Sequence, residues 1–232
     1  MPLFLQVNGT LEERLESLVS GLCWAEELGT TLEVYWWFFH PHIQCSFERL
    51  FSCEALPSWF TIHNGILESC VSIQSENQFI EKEFPSLIKS KCRFYEKNSE
   101  KWLFYLRLMR PSYEIKKSMN LILARGSTGI YIQNVREPPV ARILAEVWRN
   151  HRSISTFLLS TDCYESKRFL QLMFKDKLFE LTRISSPTHE KYYLENVLDF
   201  FCFSQCSTIL NCSSCGLMNL ASQYGNVHLI NL

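Results

Sequence analysis

The spacing of hydrophobic residues in the first 36 positions predicts a strand, a helix and a second strand. Residues 3–7 are a short apolar run, which is typical of a buried strand. Leucines then recur at intervals of three and four positions over residues 11–28, the spacing of an apolar helix face. Residues 32–36 form a second apolar run, and a right-handed helical crossover makes this strand parallel to the first.

The sequence also marks both ends of this first helix. Thr10 is followed three residues later by Glu13, which is the pattern of a capping box. Gly29 follows the apolar stretch and suits the left-handed conformation of a helix C-cap. We therefore predict a helix that begins after Thr10 and ends before Gly29.

The middle of the chain has a less regular pattern of apolar and polar positions. It predicts a short helix at residues 46–51, a strand at 59–62, and helices at 80–89, 99–109 and 113–123.

The second half alternates short apolar strands with amphipathic helices. We predict strands at 130–132, 156–159, 178–181, 208–210 and 227–230, and helices at 140–150, 164–174, 190–203 and 217–224. This alternation is typical of parallel, doubly wound sheets. The predicted fold class is therefore α/β, with two Rossmann-like halves facing a cleft. A break at residues 125–129 separates a predicted N-terminal domain, 1–125, from a C-terminal domain, 126–232.

Composition narrows the class of protein. Hydrophobic residues make up 47% of the chain, which is enough for a substantial core. The formal net charge of −1 argues against a nucleic-acid-binding protein, which needs a basic face. No apolar run is long enough to span a membrane, and no secretory signal is recognisable at the start. We therefore expect a cytoplasmic protein.

Ten cysteines are scattered along the chain. Without a secretory signal, reduced and buried thiols are expected rather than a disulfide framework. Cys202 and Cys206 with Cys212 and Cys215 invite a zinc interpretation, but the two pairs are closer together than in ordinary zinc ribbons. We predict no metal site.

Polar residues follow several of the predicted strands. Ser213 and Ser214 lie between the strand at 208–210 and the next helix, where hydroxyl groups and free backbone N–H groups can bind an anion. Asp162 follows the strand at 156–159, and Gln133 follows the strand at 130–132. Because carboxyl ends of parallel strands share one edge, these side chains indicate a ligand site.

These segments, taken in order, resemble the fucosyltransferase-like GT-B glycosyltransferases, the group of protein O-fucosyltransferases, α-1,6-fucosyltransferases and the nodulation fucosyltransferase. The family's G-G-L-G-N-R-L loop and L-G-R-x-L-x-V-x-W segment have counterparts at residues 9–15 and 28–36. Its H-x-R, F-L-A-T-D and D-x-x-x-L-S-x-C … S-S-F motifs have counterparts at 131–133, 157–162 and 199–215. The resemblance covers both ends of the chain but not the middle.

The resemblance implies a compact GT-B fold and an inverting, metal-independent transfer of a fucose-like sugar from a GDP-sugar to a hydroxyl of a glycan or protein. No cofactor is implied beyond this nucleotide-sugar, and no Asp-x-Asp motif calls for a divalent cation. The implied donor-binding residues are Gly9, Arg14, Tyr131, Gln133, Arg136, Asp162, Ser213 and Ser214. His40 and His42, just past a strand end, are predicted on the acceptor side; loop histidines without a function are the alternative.

Four departures from the family pattern change the prediction. Gln133 occupies the place of the family's arginine, whose guanidinium suits a diphosphate, and Tyr131 occupies that of the histidine. Arg136, three residues later, is the candidate substitute for the missing cation. Glu12 and Glu13 replace a glycine and an asparagine in the first loop.

These departures leave three hypotheses. Glu12 or Glu13 is the general base that deprotonates the acceptor hydroxyl, or the donor differs from GDP-fucose, or the chain is a catalytically degenerate relative that binds glycan or protein. The structural alternative for both carboxylates is that they complement the dipole of the first helix turn. For Asp162, Ser213 and Ser214 it is helix N-capping. A methyl-transferring or dinucleotide-binding Rossmann enzyme is weaker, because no G-x-G-x-x-G motif follows any strand.

Overall fold

The computed structural model describes residues 2–36, 45–65, 71–73, 87–90, 92–119, 127–133, 139–150, 156–181, 190–213 and 215–232. The chain divides into two compact units. Unit 1 comprises residues 1–114 and 188–193, and unit 2 comprises 115–187 and 194–232. The predicted domain boundary at 125/126 lies outside the described residues and stays a prediction.

Unit 1 contains a parallel sheet of five strands in the order β4-β2-β1-β6-β5. Its elements are β1 (Leu3–Val7), α1 (Leu11–Leu28), β2 (Leu32–Trp36), α2 (Phe47–Leu50), β3 (Phe51–Ser52), β4 (Phe60–His63), β5 (Val71–Ile73), β6 (Leu87–Ser90), α3 (Ser99–Leu108) and β7 (Arg110–Pro111). Strands β3 and β7 form a separate antiparallel pair. The predicted β-α-β unit is confirmed, because β1 and β2 pair in parallel from Leu3 opposite Leu32 to Val7 opposite Trp36.

The predicted helix at residues 80–89 is wrong over its last part. Residues 87–90 form strand β6, which pairs with β1 on one side and β5 on the other. Ile88 is fully buried there. A short apolar run fits a helix turn and a buried strand equally well, and pairing with two neighbours decided the outcome. Residues 80–86 lie outside the described part of the chain.

Unit 2 contains a second parallel sheet of five strands in the order β10-β9-β8-β11-β12. Helix α4 (Tyr113–Met119) leads into it. The other elements are β8 (Thr128–Ile132), α5 (Val140–Asn150), β9 (Phe157–Thr161), α6 (Tyr164–Phe174), β10 (Leu178–Leu181), α7 (Glu190–Phe203), β11 (Thr208–Asn211), α8 (Leu217–Gly225) and β12 (His228–Asn231). The predicted strand–helix alternation of this half is confirmed.

Helices cover both faces of the second sheet. Ile130 and Ile132 of β8 belong to a core cluster with Ile143 of α5 and Leu170 of α6. On the opposite face, the Tyr131 ring meets the ring of Phe203 of α7. Alternate residues of β8 therefore face different helices, which is the arrangement of a doubly wound α/β fold.

None of the helices in the described ranges is long and apolar enough to cross a membrane.

Candidate functional site

The topology of unit 2 defines a crevice at the carboxyl ends of β8 and β11. From β8 the chain proceeds to β9 and β10 on one side of the sheet, then crosses to β11 on the other side. Ligands of open α/β sheets bind where the strand order reverses in this way. Gln133 follows β8 at this switch point, and Ser213 lies two residues after β11.

Gln133 is a buried amide with an unused donor. Its side chain is 4% exposed, and its Nε2 makes no hydrogen bond to any part of the chain that the structure describes. A buried donor without a partner costs free energy and is often matched by a ligand or water. Gln133, which was predicted to bind the nucleotide-sugar, therefore lies at the switch point. Its N–H group can donate a hydrogen bond to an oxygen of a ligand. Arg136 lies outside the described residues.

Tyr131 is placed in the core. Its side chain is fully buried, and its ring meets that of Phe203 edge-to-face with centroids 5.5 Å apart. Donor contact by Tyr131 stays a prediction, because it requires the phenol to reach a ligand from this packed position.

The turn after β11 is organised by Asn211 and Ser213. Asn211 Oδ1 accepts from the Ser213 N–H at 3.2 Å, and Asn211 Nδ2 donates to Asn231 Oδ1 at 2.9 Å. Ser213 Oγ accepts from the Cys215 N–H at 3.0 Å. Ser213 is not the N-cap of α8, because that position is Gly216. Ser214 lies outside the described residues.

Sequence reasoning missed Asn211. It is 4% exposed and holds the turn that carries Ser213. An asparagine directly after an apolar run, two residues before a serine, is the signal that could have revealed an Asx-type turn.

The turn after β9 presents Asp162 to solvent. Thr161 Oγ1 accepts from the Cys163 N–H at 3.0 Å and thereby fixes the turn. The N-cap of α6 is Cys163 rather than Asp162. Behind this turn, Ser160 Oγ donates to Asp199 Oδ2 at 3.0 Å, and both side chains are buried. Asp162 therefore stands at a strand end next to the switch point, and its donor contact stays a prediction.

The first loop of unit 1 follows β1, which lies between β2 and β6 where the strand order of that sheet reverses. Gly9 adopts φ +87°, a conformation that favours glycine. A Cβ on Gly9 would lie 2.1 Å from Glu13 Oε2. The predicted capping box is confirmed, since Glu13 Oε2 accepts from the Thr10 N–H at 2.7 Å and Thr10 Oγ1 accepts from the Glu13 N–H at 3.3 Å.

Glu12 and Glu13 both lie in the first turn of α1, half-buried. The structure therefore confirms the placement that complements the helix dipole. Neither carboxylate is tested as a base by this geometry, and the catalytic assignment stays a prediction. His40 and His42, predicted on the acceptor side, lie outside the described residues.

Arg14 is the buried cation of unit 1. Its side chain is 1% exposed, and its Nε donates to the Gly9 carbonyl at 2.9 Å. The guanidinium lies 5.2 Å from the Trp36 ring centroid and 5.7 Å from that of Tyr193. Burial lowers the pKa of Arg14 from its ordinary value. Donor contact by Arg14 stays a prediction.

Burial disfavours the thiolate form of three cysteines of unit 2. Burial raises the pKa of Cys202 and Cys212 to about 12 and that of Cys206 to about 11. Cys206 Sγ lies 3.5 Å from Ser127 Oγ. Among the described residues, no three His, Cys, Asp or Glu side chains are grouped so that they could hold a metal ion.

The fold is similar to that of known fucosyltransferases. Fucosyltransferase NodZ from Bradyrhizobium aligns with a TM-score of 0.70 at 12% identity, covering 95% of this chain and 93% of that chain. NodZ alpha-1,6-fucosyltransferase soaked with GDP-fucose aligns at 0.72 and 12%, covering 97% and 93%. POFUT1 in complex with GDP-fucose aligns at 0.62 and 10%, covering 99% and 97%.

No protein-family model matches the sequence, and no curated protein matches it. The resemblance noted from the motifs is confirmed at the level of the fold: the chain has the α/β GT-B architecture of the fucosyltransferases, with divergent sequence. At identities this low the similarity establishes the fold, and activity has to be argued from the site.

Proposed function

We propose that this chain is a glycosyltransferase that uses a GDP-sugar, fucose-like by resemblance, and transfers the sugar to a hydroxyl of a glycan or protein. The supporting observation is the switch-point crevice of unit 2, where Nε2 of the buried Gln133 makes no hydrogen bond to the described residues. The fold around it is shared with POFUT1 in complex with GDP-fucose and with NodZ alpha-1,6-fucosyltransferase soaked with GDP-fucose. In this proposal the crevice holds the donor diphosphate.

The proposed donor site combines neutral and cationic groups. Gln133 Nε2 donates to a phosphate oxygen, and Ser213 and its neighbour Ser214 supply hydroxyl and backbone groups at the β11 end. Arg136 supplies the positive charge that Gln133 lacks. Asp162 accepts from a donor hydroxyl. Such groups stabilise a leaving diphosphate without a metal ion, which makes metal independence part of the proposal.

The proposed mechanism inverts the anomeric centre. Glu12 or Glu13 takes the proton of the acceptor hydroxyl as that oxygen attacks, and GDP leaves from the opposite side. Glu13 caps α1 through Oε2. A carboxylate has about four lone-pair sites, so a cap and a base are compatible roles.

Thermal shift with GDP, GDP-fucose and other nucleoside diphosphates tests this proposal first. A ligand that binds only the folded chain stabilises it by about 2.7 kcal/mol at a concentration of 100 times its Kd. Gln133→Leu should weaken GDP binding, whereas Gln223→Leu on α8 is the control. If no nucleotide raises the Tm of the full chain, the transferase proposal fails.

A second candidate is a non-catalytic relative that binds a glycan or a protein. Two observations favour it: Gln133 carries no charge, and Arg14 of unit 1 is buried against Gly9 and Trp36. Stabilisation by GDP without hydrolysis or transfer of the sugar would favour this candidate. A cytoplasmic location is kept as a proposal for either function.

A further inference from the structure

A cavity of about 200 Å³ opens in unit 2 beside the carboxyl ends of β9 and β10. Its walls include Leu159, Thr161, Asp162, Tyr164, Lys167 and Glu180. The sheet order places β9 between β8 and β10, so this cavity lies on the other side of β9 from the β8–β11 crevice. The two adjoin at Asp162, which lines this cavity and which the proposed function assigns to the donor.

A fixed ion pair forms one wall of the cavity. Lys167 Nζ lies 2.7 Å from Glu180 Oε2, with the two side chains 39% and 22% exposed. The Gln171 side-chain amide also donates to the Glu180 carboxylate. Two donors from one helix therefore hold Glu180 in place on the neighbouring strand. Polar groups held in this way are preorganised for a ligand that needs both a donor and an acceptor.

The charge of the wall selects against anions. Asp162 and Glu180 contribute two negative charges and Lys167 one positive charge, so the cavity carries a net −1 at neutral pH. A phosphate would meet this field unfavourably. A neutral ligand with several hydroxyl groups meets carboxylate acceptors and an ammonium donor without that repulsion.

The size and the rim of the cavity point to a single ring. Pockets for drug-sized ligands are about 300–1,000 Å³, and this cavity is smaller. Tyr164 lines it with a side chain that is 73% exposed. A tyrosine offers an apolar ring face together with a polar hydroxyl, a combination that suits the apolar face and the hydroxyl edge of a sugar ring.

We propose that this cavity is a subsite for one neutral polyhydroxylated ring. Glu180 accepts from ring hydroxyls, Lys167 donates to a ring oxygen, and Tyr164 covers one face of the ring. The ring comes either from the ribose of a nucleotide, in which case the inference rests on the proposed function, or from a residue of a glycan.

Ligand-observed NMR and calorimetry on the full chain test the subsite. The probes are guanosine, 2′,3′-dideoxyguanosine, L-fucose, D-galactose, D-mannose and N-acetylglucosamine. Glu180→Gln should weaken binding of the responsible ring by about tenfold, as expected for loss of a hydrogen bond to a charged group. Glu165→Gln on α6, exposed and outside the cavity walls, should leave the affinity unchanged.

A second pair of variants tests the aromatic rim. Tyr164→Ala should lower the affinity several-fold and Tyr164→Phe should largely retain it, whereas Tyr113→Ala, at an 83% exposed tyrosine of unit 1, should have no effect. Because both tyrosines are exposed, these variants fold if the chain folds.

The outcomes separate the two sources of the ring. Guanosine binding that the dideoxy compound loses identifies the ribose, and monosaccharide binding that Glu180→Gln weakens identifies a glycan. If no probe binds, or if neither Glu180→Gln nor Tyr164→Ala changes the affinity, the subsite is overturned. If GDP binds, guanosine and its dideoxy analogue bind equally well and no sugar binds, the subsite is overturned and the proposed function stands. If a sugar binds at the cavity and GDP does not bind at all, the subsite stands and the proposed function fails.

Discussion

At the residue scale, substitution of Glu13 can show whether this residue is purely structural or also catalytic. Glutamine also completes a capping box, so Glu13→Gln should change the free energy of unfolding by less than about 0.5 kcal/mol. If Glu13 is the base, the same variant should lower kcat by about 10²–10⁴-fold. The measurement is kcat for sugar transfer together with the Kd for GDP, which should not change.

Glu12→Gln is the matched control for this prediction. Glu12 lies in the same helix turn, but the capping bonds of the turn are made by Glu13 and Thr10. Full turnover in Glu13→Gln with loss of turnover in Glu12→Gln would assign the base to Glu12. Full turnover in both would contradict the proposed base altogether.

Arg14 gives a second prediction at this scale. Lysine keeps the charge but not the planar guanidinium, so Arg14→Lys should lose the bond to Gly9 and the contacts with Trp36 and Tyr193. We expect a loss of about 2 kcal/mol in the free energy of unfolding, measured with urea.

Arg110→Lys, at an exposed arginine of unit 1, is the control and should change stability by less than about 0.5 kcal/mol. Unchanged stability in Arg14→Lys with weakened GDP binding would show instead that Arg14 contacts the donor.

These residues also show how far a site can be predicted from sequence. The capping box was predicted because Thr10 and Glu13 are three residues apart and need no tertiary context. The contacts around Arg14 were not predicted, because Tyr193 comes from the far end of the chain. The turn held by Asn211 carries a local signal, because Asn211 accepts from the Ser213 N–H two residues on, whereas its bond to Asn231 on a neighbouring strand is not predictable from local spacing.

At the element scale, the contact of β8 with α7 depends on Gly129. A Cβ at this position would lie 2.7 Å from Phe203 Cδ1 and 3.2 Å from Cys206 Sγ. Gly129→Ala should therefore overpack the interface and cost about 1–3 kcal/mol, measured as a shift of the urea midpoint. Gly65→Ala is the control, because a Cβ there meets no atom of the described residues within 4 Å. Equal stability in the two variants would show that α7 moves away without cost.

The elements themselves were largely predictable. The bounds of α6 and α7 follow from apolar spacing over more than ten residues, where the helical period is unambiguous. Strand β6 was mistaken for the end of a helix, because Leu87 and Ile88 are too few to define a period. Its pairing with β1 and β5 is a long-range property that local spacing does not encode.

At the scale of the whole molecule, buried thiols make stability depend on alkaline pH. Five of them have a raised pKa in the folded chain: Cys23, Cys202 and Cys212 to about 12, and Cys45 and Cys206 to about 11. The cause that dominates in each is desolvation, which disfavours the thiolate. Both units contribute, since Cys23 and Cys45 lie in unit 1 and the others in unit 2.

The direction of the effect follows from linkage. A thiol of the unfolded chain ionises near its ordinary pKa of 9.0, whereas the folded thiol keeps its proton to about 11 or 12. The contribution of each buried thiol to the free energy of unfolding is therefore fully present below pH 9. It is lost as the pH rises through this interval, by up to about 1.4 kcal/mol per thiol and pH unit.

Urea unfolding at pH 7, 8.5, 9.5 and 10.5 should show a flat region followed by a steep decline. A variant with Cys23, Cys202 and Cys206 replaced by alanine should be less stable at pH 7 but should decline less steeply. An equal slope in both proteins would show that other groups cause the decline.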